Sequence, residues 1–324
     1  MQKSPAFLLS AFVLSLCALG MEARNVTQIG DMYFLLDQQK QTAAITCRPY
    51  YSGSYEDEKD GWMYFQPEDL YIGHLVIPDT VEYGTVRYAV TGIGDAAFAG
   101  CKWLISLHLP AGIRSIGVNA FSLCYAMEEI SVAEENETYM VYDGVLYERS
   151  PLRVRYCPYA LSGEICIKEG MTEIESSKFQ YCKSLVGVIL PEGIEVIRDG
   201  AFDHCTSLES VYLPTSLKTI GRRAFSSTGL TSIMLPPQLS RIDDEAFLDC
   251  TQLYTIYNSS PLVLTIGSKD NGYVAYYAQS VIEVTSGSGE VMLPREGWQK
   301  RLIDGEMRLV SPAGVFSING QKME

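Results

Sequence analysis

One pattern of apolar positions recurs along this chain at a regular interval. The clearest copies read IGDAAFAGCKWLISLHLP (93–110), IRDGAFDHCTSLESVYLP (197–214) and IDDEAFLDCTQLYTIYN (242–258). One phenylalanine marks each of six copies: Phe98, Phe121, Phe179, Phe202, Phe225 and Phe247. Because a fixed period in the twenties is typical of stacked coils, the pattern predicts a repeat solenoid.

The residues within one copy predict short strands and tight turns, and no helix of normal length. The sequence Leu208-x-x-Val211-x-Leu213 ends in the alternation of a strand with one buried face. In most copies a proline follows, and it ends the strand because it cannot donate to a strand ladder. The apolar groups of one coil gain about 10 kcal/mol when buried, whereas fixing its backbone costs about 20–40 kcal/mol. Neighbouring coils must therefore share one core.

Two places depart from the repeat. The interval between Phe121 and Phe179 is more than twice the usual one, and the intervening sequence 139–158 predicts a hairpin that turns at Arg149-Ser150-Pro151. We assign this hairpin insertion to residues 134–164. In the fifth copy, Thr228 stands where the other copies carry Cys.

The segments around the repeats predict caps, a linker and an export signal. Residues 1–23 have the basic start, short apolar run and small residues of a signal peptide, and the run is too short to span a membrane. We divide the rest into an N-terminal cap (24–74), the solenoid (75–258), a C-terminal cap (259–284) with a last strand at 262–266, a linker (285–290) and a small C-terminal β segment (291–324). This last segment resembles the end of sorting domains used by type IX secretion, and a packed cap or an idle tail is the alternative.

The pattern IGxxAFxxCxxLxxxxLP resembles the BspA-like leucine-rich repeat family of surface proteins from Gram-negative anaerobes. The flanking sequences FLLDQQKQTAAIT (34–46) and DGVLYERS (143–150) are similar to the family's entry strands and inserted hairpin. The resemblance implies a mostly β, right-handed solenoid of the leucine-rich-repeat type, with short turns or 3-10 segments and caps at both ends. It also implies a secreted or surface-displayed protein that binds other proteins, often as an adhesin, and it carries over no catalytic residue.

Charge and motif content exclude several function classes. The net charge of −14 argues against nucleic acid and anionic membrane surfaces, which attract clusters of Lys and Arg. The motifs GxSxG and HExxH and a P-loop do not occur, and the three histidines share no motif. The acidic loop EDEKDG (56–61) lacks the twelfth-position Glu of a calcium loop. We therefore predict no enzyme activity, no cofactor and no metal site.

Most of the cysteines are predicted to pack in the core and not to form disulfides or a reactive site. One repeat position carries Cys101, Cys124, Cys182, Cys205 and Cys250. Stacked side chains point the same way and suit disulfide geometry poorly, so we interpret this column as small buried apolar residues. Two alternatives stay open: Cys157 could pair with Cys166 across the turn at 160–163, and Cys17 could carry a lipid.

One column of strand residues is the candidate binding surface. The residue between the last two apolar positions of each strand should point away from the core, and down the stack this column reads His108, Ser131, Ile189, Tyr212, Met234 and Tyr257. A contiguous apolar patch favours ligand binding, and we assign that role to His108, Ile189, Tyr212, Met234 and Tyr257. The alternative is a stabilising ladder of side chains. The predicted partner is an extracellular protein such as a host matrix protein, and a glycan is the alternative.

Overall fold

The computed structural model describes residues 26–47 and 71–284, and the backbone of four strands between 299 and 323. In these ranges the chain forms strands, turns and one short 3-10 segment, Asn271–Tyr273, without an α-helix. The predicted repeat solenoid of the leucine-rich-repeat type is confirmed. The predicted signal peptide, the acidic loop at 56–61 and the linker at 285–290 lie outside the described residues. The chain divides into two compact units, residues 1–140 and 141–324.

The first unit combines a mixed sheet with a parallel ladder. The mixed sheet consists of β1 (Val26–Ile29), β2 (Met32–Asp37), β3 (Thr42–Thr46), β5 (Thr80–Tyr83), β6 (Val86–Ile93) and β8 (Ser115–Ile116). Within it, β1–β3 form an antiparallel meander, and β3 then pairs in parallel with β6. The parallel ladder consists of β4 (Gly73–Val76), β7 (Leu104–Leu109) and β9 (Glu129–Val132). Parallel pairing follows from the period, because each coil repeats the path of the coil before it.

The second unit contains the hairpin and three parallel ladders. The strands of the hairpin sheet are β10 (Tyr139–Tyr142), β11 (Val145–Arg149) and β12 (Leu152–Tyr156). The sequence predicts a reversal at Arg149-Ser150-Pro151, and β11 and β12 pair antiparallel across these residues. The ladders are β13 (Gly163–Cys166), β15 (Leu185–Ile189) and β17 (Ser210–Tyr212); β14 (Glu173–Ile174), β16 (Val196–Ile197), β18 (Thr219–Ile220) and β20 (Arg241–Ile242); and β19 (Ser232–Leu235), β21 (Thr255–Asn258) and β22 (Ser280–Glu283).

The C-terminal segment also forms strands. An antiparallel sheet consists of β23 (Gln299–Ile303), β24 (Glu306–Ser311), β25 (Gly314–Ser317) and β26 (Lys322–Met323). Its role as a sorting tail remains a prediction.

The predicted strand at 262–266 is wrong. These residues form no strand, and Val263 and Ile266 expose their side chains. The carbonyl of Leu262 accepts a hydrogen bond from the Asn258 side chain at 3.0 Å, which holds this segment in a turn. The strand that extends the ladder is β22, whose Val281 lies beside the buried Ile256. The local sequence did not distinguish the two candidate segments, because each is a short run that contains adjacent apolar residues.

Stacked phenylalanine rings form the centre of the core. In the second unit the ring centroids of Phe179 and Phe202 are 5.0 Å apart, those of Phe202 and Phe225 are 5.3 Å apart, and those of Phe225 and Phe247 are 5.4 Å apart. In the first unit Phe98 stacks on Phe121 at 5.8 Å. All six rings are buried. The repeat thus places one ring of each coil against the ring of the next.

The cysteine column lines the same turns, as the sequence predicts. Its five thiols are free and buried. The thiol of Cys205 donates to the carbonyl of Phe179 in the preceding coil at 2.9 Å. The same contact joins Cys124 to Phe98 at 3.0 Å and Cys250 to Phe225 at 2.9 Å. Each of these three thiols therefore satisfies a buried carbonyl while it fills a small space.

Thr228 replaces the cysteine of the fifth copy without leaving its hydroxyl unpaired. Its Oγ1 donates to the carbonyl of Phe225 at 2.9 Å and lies 3.2 Å from the thiol of Cys250. A threonine hydroxyl can thus take the place of a thiol because a buried acceptor lies within reach.

Aspartates link some coils to the next through a backbone amide. Asp199 Oδ1 accepts from the amide of Arg222 at 3.0 Å, and Asp95 Oδ1 accepts from the amide of Val118 at 2.7 Å. In both cases a glycine precedes the donor, Gly221 in one coil and Gly117 in the other. A Cβ at Gly221 would lie 2.6 Å from Asp199 Oδ1 and 2.8 Å from its amide nitrogen. The glycine is therefore needed because the aspartate approaches so closely.

Gly221→Ala is expected to lower the free energy of unfolding by about 2 kcal/mol, since the added methyl group overlaps the Asp199 carboxylate as well as the backbone of the preceding coil. Urea unfolding followed by circular dichroism measures the change. Asp199→Ala tests the cause because it removes the carboxylate. In the Asp199→Ala background, Gly221→Ala should lower the free energy of unfolding by less than it does in the wild-type chain. Equal effects of Gly221→Ala in the presence and absence of the Asp199 carboxylate would contradict this explanation.

Candidate functional site

The outer face of the ladder β19–β21–β22 carries two parallel rows of side chains. The strand register aligns Met234 with Tyr257 and Tyr257 with Ile282. The second row consists of hydroxyl residues, Ser232, Thr255 and Ser280, in the same register. Ile233 and Ile256, the residues between the rows, are buried. The alternation of inward and outward residues therefore matches the sequence prediction for Met234 and Tyr257.

Tyr212 belongs to the neighbouring ladder of the same unit. It ends β17, a strand that contacts β19, and it aligns with Ile189 on β15. Its ring is half-buried. Burial raises the pKa of its phenol to about 12, and the nearby Glu192 adds to this shift. The phenol therefore stays protonated across the physiological range.

Ile189 does not belong to an exposed patch, and this part of the predicted surface is wrong. Only 1% of Ile189 is exposed. It packs with Cys166 on the outer face of its ladder, and the rings of Tyr142 and Tyr212 cover both. Tyr142 is on β10, the first strand of the hairpin sheet, so the insertion covers the strand face at this point. Ile189 is therefore a packing residue.

His108 belongs to the first unit, whereas Tyr212 and Tyr257 belong to the second. It aligns with Ser131 on the adjacent strand β9, and its Nδ1 lies 2.9 Å from the Ser131 hydroxyl. His74 and Ser106 repeat this contact at 2.8 Å. The structure thus brings Tyr212, Met234 and Tyr257 together within one unit and places His108 in the other.

Ile282 is the outward residue that the sequence prediction missed. It is 44% exposed and lies beside Tyr257 on the last strand of the ladder. The sequence analysis placed the last strand at 262–266, so it did not predict the strand that contains Ile282. A signal was present, because Ile282 follows Tyr257 in the sequence by little more than one period.

The repeats match a known family over more than half of the chain. The model of the BspA type leucine rich repeat region matches in six copies, over residues 79–153 and 163–269. The chain belongs to the BspA-type leucine-rich repeat family. Members of this family are bacterial surface proteins, and membership fits a surface or protein-binding role.

Solved structures similar to this chain come from several bacteria. A leucine rich cell surface protein from Faecalibacterium prausnitzii aligns over 81% of this chain and 96% of its own, at 18% identity and a TM-score of 0.46. A leucine-rich repeat protein from Bacteroides ovatus aligns over 80% of this chain and 76% of its own, at 20% identity and a TM-score of 0.44. The pneumococcal vaccine antigen PcpA aligns over 81% and 94%, at 14% identity and a TM-score of 0.41. No curated protein matches the sequence.

The reactive side chains of this BspA-type chain have structural partners. His204 Nδ1 lies 2.8 Å from Asp203 Oδ1, and Gln180 donates to the other oxygen of Asp203 at 2.9 Å. The thiol of Cys205 points instead to a backbone carbonyl, so His204 and Cys205 form no catalytic pair. Within the described ranges, no group of three His, Cys, Asp or Glu side chains could hold a metal ion. Proteins with this repeat fold are typically non-enzymatic.

Asn136 and Asn258 each begin an Asn-x-Ser/Thr sequence, the acceptor sequon for N-linked glycans, and both side chains are buried. The Asn136 amide nitrogen donates to the carbonyls of Pro110 and Ile113, and the Asn258 amide nitrogen donates to Leu262 and Glu283. An amide nitrogen with these buried partners is inaccessible for glycan attachment. The third sequon, at residue 25, lies outside the described residues.

None of the described helices is long and apolar enough to cross a membrane.

Proposed function

We propose that this chain is a secreted or surface-displayed, adhesin-like protein that binds an extracellular protein, such as a host matrix protein, through one strand face. The recognition row consists of Tyr212, Met234, Tyr257 and Ile282. The observation that supports this row is the register of Met234, Tyr257 and Ile282, which sets three large apolar side chains next to one another on the outer face. Tyrosine and methionine are enriched at protein interfaces.

The ladder supports recognition by holding the row rigid. Its strands pair in parallel along their length, and Ile233 and Ile256 are buried on the inner face of the ladder. Side chains that are already ordered lose little entropy when a partner binds. The net charge of −14 favours a basic partner, because opposite charges speed association.

Tyr257→Ser is expected to weaken binding to the matrix protein at least tenfold, since it removes an aromatic anchor from the centre of the row. Surface plasmon resonance with the chain from residue 24 onward, over immobilised fibronectin, laminin and collagen, measures the affinity. Tyr254→Ser is the matched control, because Tyr254 is an exposed tyrosine of the same coil outside the row. Similar loss in both variants, or no loss in Tyr257→Ser, would contradict the row as the binding site.

The thermal midpoint separates binding from folding in this test. Tyr257→Ser should leave the midpoint nearly unchanged, because the side chain is partly exposed and ends at the surface. Tyr212→Ser should weaken binding and also lower the midpoint, since Tyr212 covers Ile189. Tyr257 is therefore the cleaner probe of recognition.

A glycan or glycoprotein is the second candidate ligand. The hydroxyl row beside Tyr257 favours it, because Thr255 and Ser280 approach each other at 3.4 Å and both hydroxyls can bond a sugar. A glycan array with the same Tyr257→Ser and Tyr254→Ser variants distinguishes the two. Binding to sugars in the absence of any protein ligand would favour this candidate.

A further inference from the structure

The last strand of the ladder β19–β21–β22 has an open edge. Within the part of the chain that the structure describes, β22 pairs with β21 on one side and with no strand on the other. The amides of Ser280 and Val284 donate to backbone carbonyls on the side of β21, at 3.1 and 2.8 Å. Because the backbone groups of alternate residues point to the same edge of a strand, the amides and carbonyls of Val281 and Glu283 point away from β21. They can therefore bond to a further strand.

The side chains of β22 are also less covered than those of the strands before it. Ile233 and Ile256 are fully buried, whereas Val281, the next inward residue of the ladder, is partly exposed. On the outer face, Ile282 is the last member of the recognition row and is 44% exposed. Natural proteins often protect an open edge with lysine, proline or a bulge. Residues 280–283 contain neither lysine nor proline, and their register with β21 is continuous. The edge is therefore suited to another strand.

A carboxylate marks the end of this edge. Glu283 is exposed and lies beside Asn258, whose amide nitrogen is 3.1 Å from both carboxylate oxygens. A basic side chain at the aligned position of an added strand would lie next to this carboxylate, since opposite charges on neighbouring strands attract. The net charge of −14 also favours a basic segment. The same charge disfavours a second copy of this chain as the occupant, because like charges repel.

We propose that β22 binds an extended segment of the partner protein, which joins the ladder as its fourth strand. The segment carries apolar residues beside Val281 and Ile282 and a basic residue beside Glu283. Its sequence is therefore apolar-apolar-basic if it runs parallel to β22, and the reverse if it runs antiparallel. Main-chain hydrogen bonds provide the affinity of such a complex, and the alternate side chains provide its specificity. The proposal rests on the protein binding proposed above and adds which part of the partner is recognised.

Hydrogen exchange at single amides tests the open edge in the absence of a partner. The chain from residue 24 is exchanged in heavy water, quenched, digested and read by electron-transfer fragmentation. The amides of Val281 and Glu283 should exchange at least tenfold faster than those of Ile282 and Val284, which face β21. Slow exchange at all four would mean that the edge is already covered, by this chain or by a second copy. Fast exchange at all four would mean that β22 is not stably paired. Either result would overturn the proposal.

The same measurement on the complex tests strand addition itself. With whichever of fibronectin, laminin and collagen binds in the plasmon resonance test, exchange at Val281 and Glu283 should slow at least tenfold. If Tyr257→Ser abolishes binding while these two amides stay fast in the complex, recognition uses side chains alone. Strand addition would then be wrong, although the proposed function would hold.

A synthetic peptide replaces the matrix proteins if none of the three binds, so that the edge is tested even if the proposed function fails. The peptide LTSIMKP has the sequence of residues 230–234, which lead into and include most of β19, followed by lysine and proline. At millimolar concentration it should slow exchange at Val281 and Glu283. The control peptide LTSIMEP, with the opposite charge, should slow it less. No slowing by LTSIMKP, or equal slowing by both peptides, would overturn the proposal.

Proline substitution tests the role of the outward amide. Val281→Pro should weaken binding at least tenfold, and it removes no bond to β21 because proline is tolerated where the amide of an edge strand faces solvent. Val76→Pro is the matched control. It lies on β4, an edge strand of the first unit, and its amide also faces outward, because those of Gly73 and Ile77 donate towards β7. This control should bind like the wild-type chain.

A second variant leaves the backbone intact. Glu283→Gln keeps an oxygen for the Asn258 amide but removes the charge, and it should weaken binding several-fold. This variant decides the outcome if Val281→Pro lowers the thermal midpoint. Unchanged affinity in both Val281→Pro and Glu283→Gln, or an equal loss in Val281→Pro and Val76→Pro, would contradict binding at this edge.

Discussion

Phe202→Ala is expected to lower the free energy of unfolding by about 4 kcal/mol, the middle of the range for a buried aromatic residue replaced by alanine. Phe202 is fully buried and stacks on Phe179 at 5.0 Å and on Phe225 at 5.3 Å. The substitution removes the ring and leaves a cavity between two others. Neighbouring coils share this core, so the cavity cannot be closed by movement of one coil alone. Urea unfolding monitored by circular dichroism measures the loss.

A double-mutant cycle tests whether the rings act together. Phe202→Ala and Phe225→Ala should be non-additive, because the rings contact each other directly. Phe202→Leu should cost less than Phe202→Ala, since leucine refills part of the volume. Tyr254→Ala, at an exposed position of a later coil, should change stability by less than about 0.5 kcal/mol. A loss at Phe202 no greater than that at Tyr254 would mean that the stack does not support the fold.

Asn136→Ala should lower the free energy of unfolding by about 3 kcal/mol, because it leaves several buried polar groups without partners. The Asn136 side chain donates to the carbonyls of Pro110 and Ile113 at 3.0 and 3.1 Å. It also accepts from the amides of Thr138 and Tyr139 at 2.9 and 2.8 Å. The bonds to Pro110 and Ile113 tie the segment after β9 to the coil before it, and the other two fix the local turn at 136–139. Thermal unfolding of the full chain measures the effect.

The neighbouring Glu137 provides the matched control for Asn136. Its side chain is 85% exposed and lies 4.0 Å from Arg114 in a solvated ion pair. Glu137→Ala should therefore change stability by less than about 0.5 kcal/mol. If the two alanine variants were equally stable, the buried amide would not be the structural link that its hydrogen bonds indicate.

The period of the sequence was sufficient to predict the core. A residue that recurs once in every period occupies the same place in each coil, so the phenylalanine rings stack and the cysteines line one turn. Local alternation similarly predicted that Met234 and Tyr257 point outward. These features depend only on the repeat itself, which can be read directly from the sequence.

Features that depend on departures from the repeat could not be predicted in the same way. The burial of Ile189 depends on Tyr142, which lies much earlier in the sequence, in the hairpin sheet. The choice of β22 over residues 262–266 depends on which of two short apolar segments pairs with the strand of Ile256. Each outcome is decided by packing between distant segments, and local sequence carries little information about it.

The aspartate bonds between coils restrict how such a chain can grow by duplication. Asp199 and Gly221 occur in consecutive coils, and so do Asp95 and Gly117. A copied coil with aspartate would clash if the coil inserted after it lacked the glycine. We therefore expect the coil with the aspartate and the following coil with the glycine to be gained or lost together. Where only one of the two coils changes, the aspartate or glycine of the other coil should also be substituted.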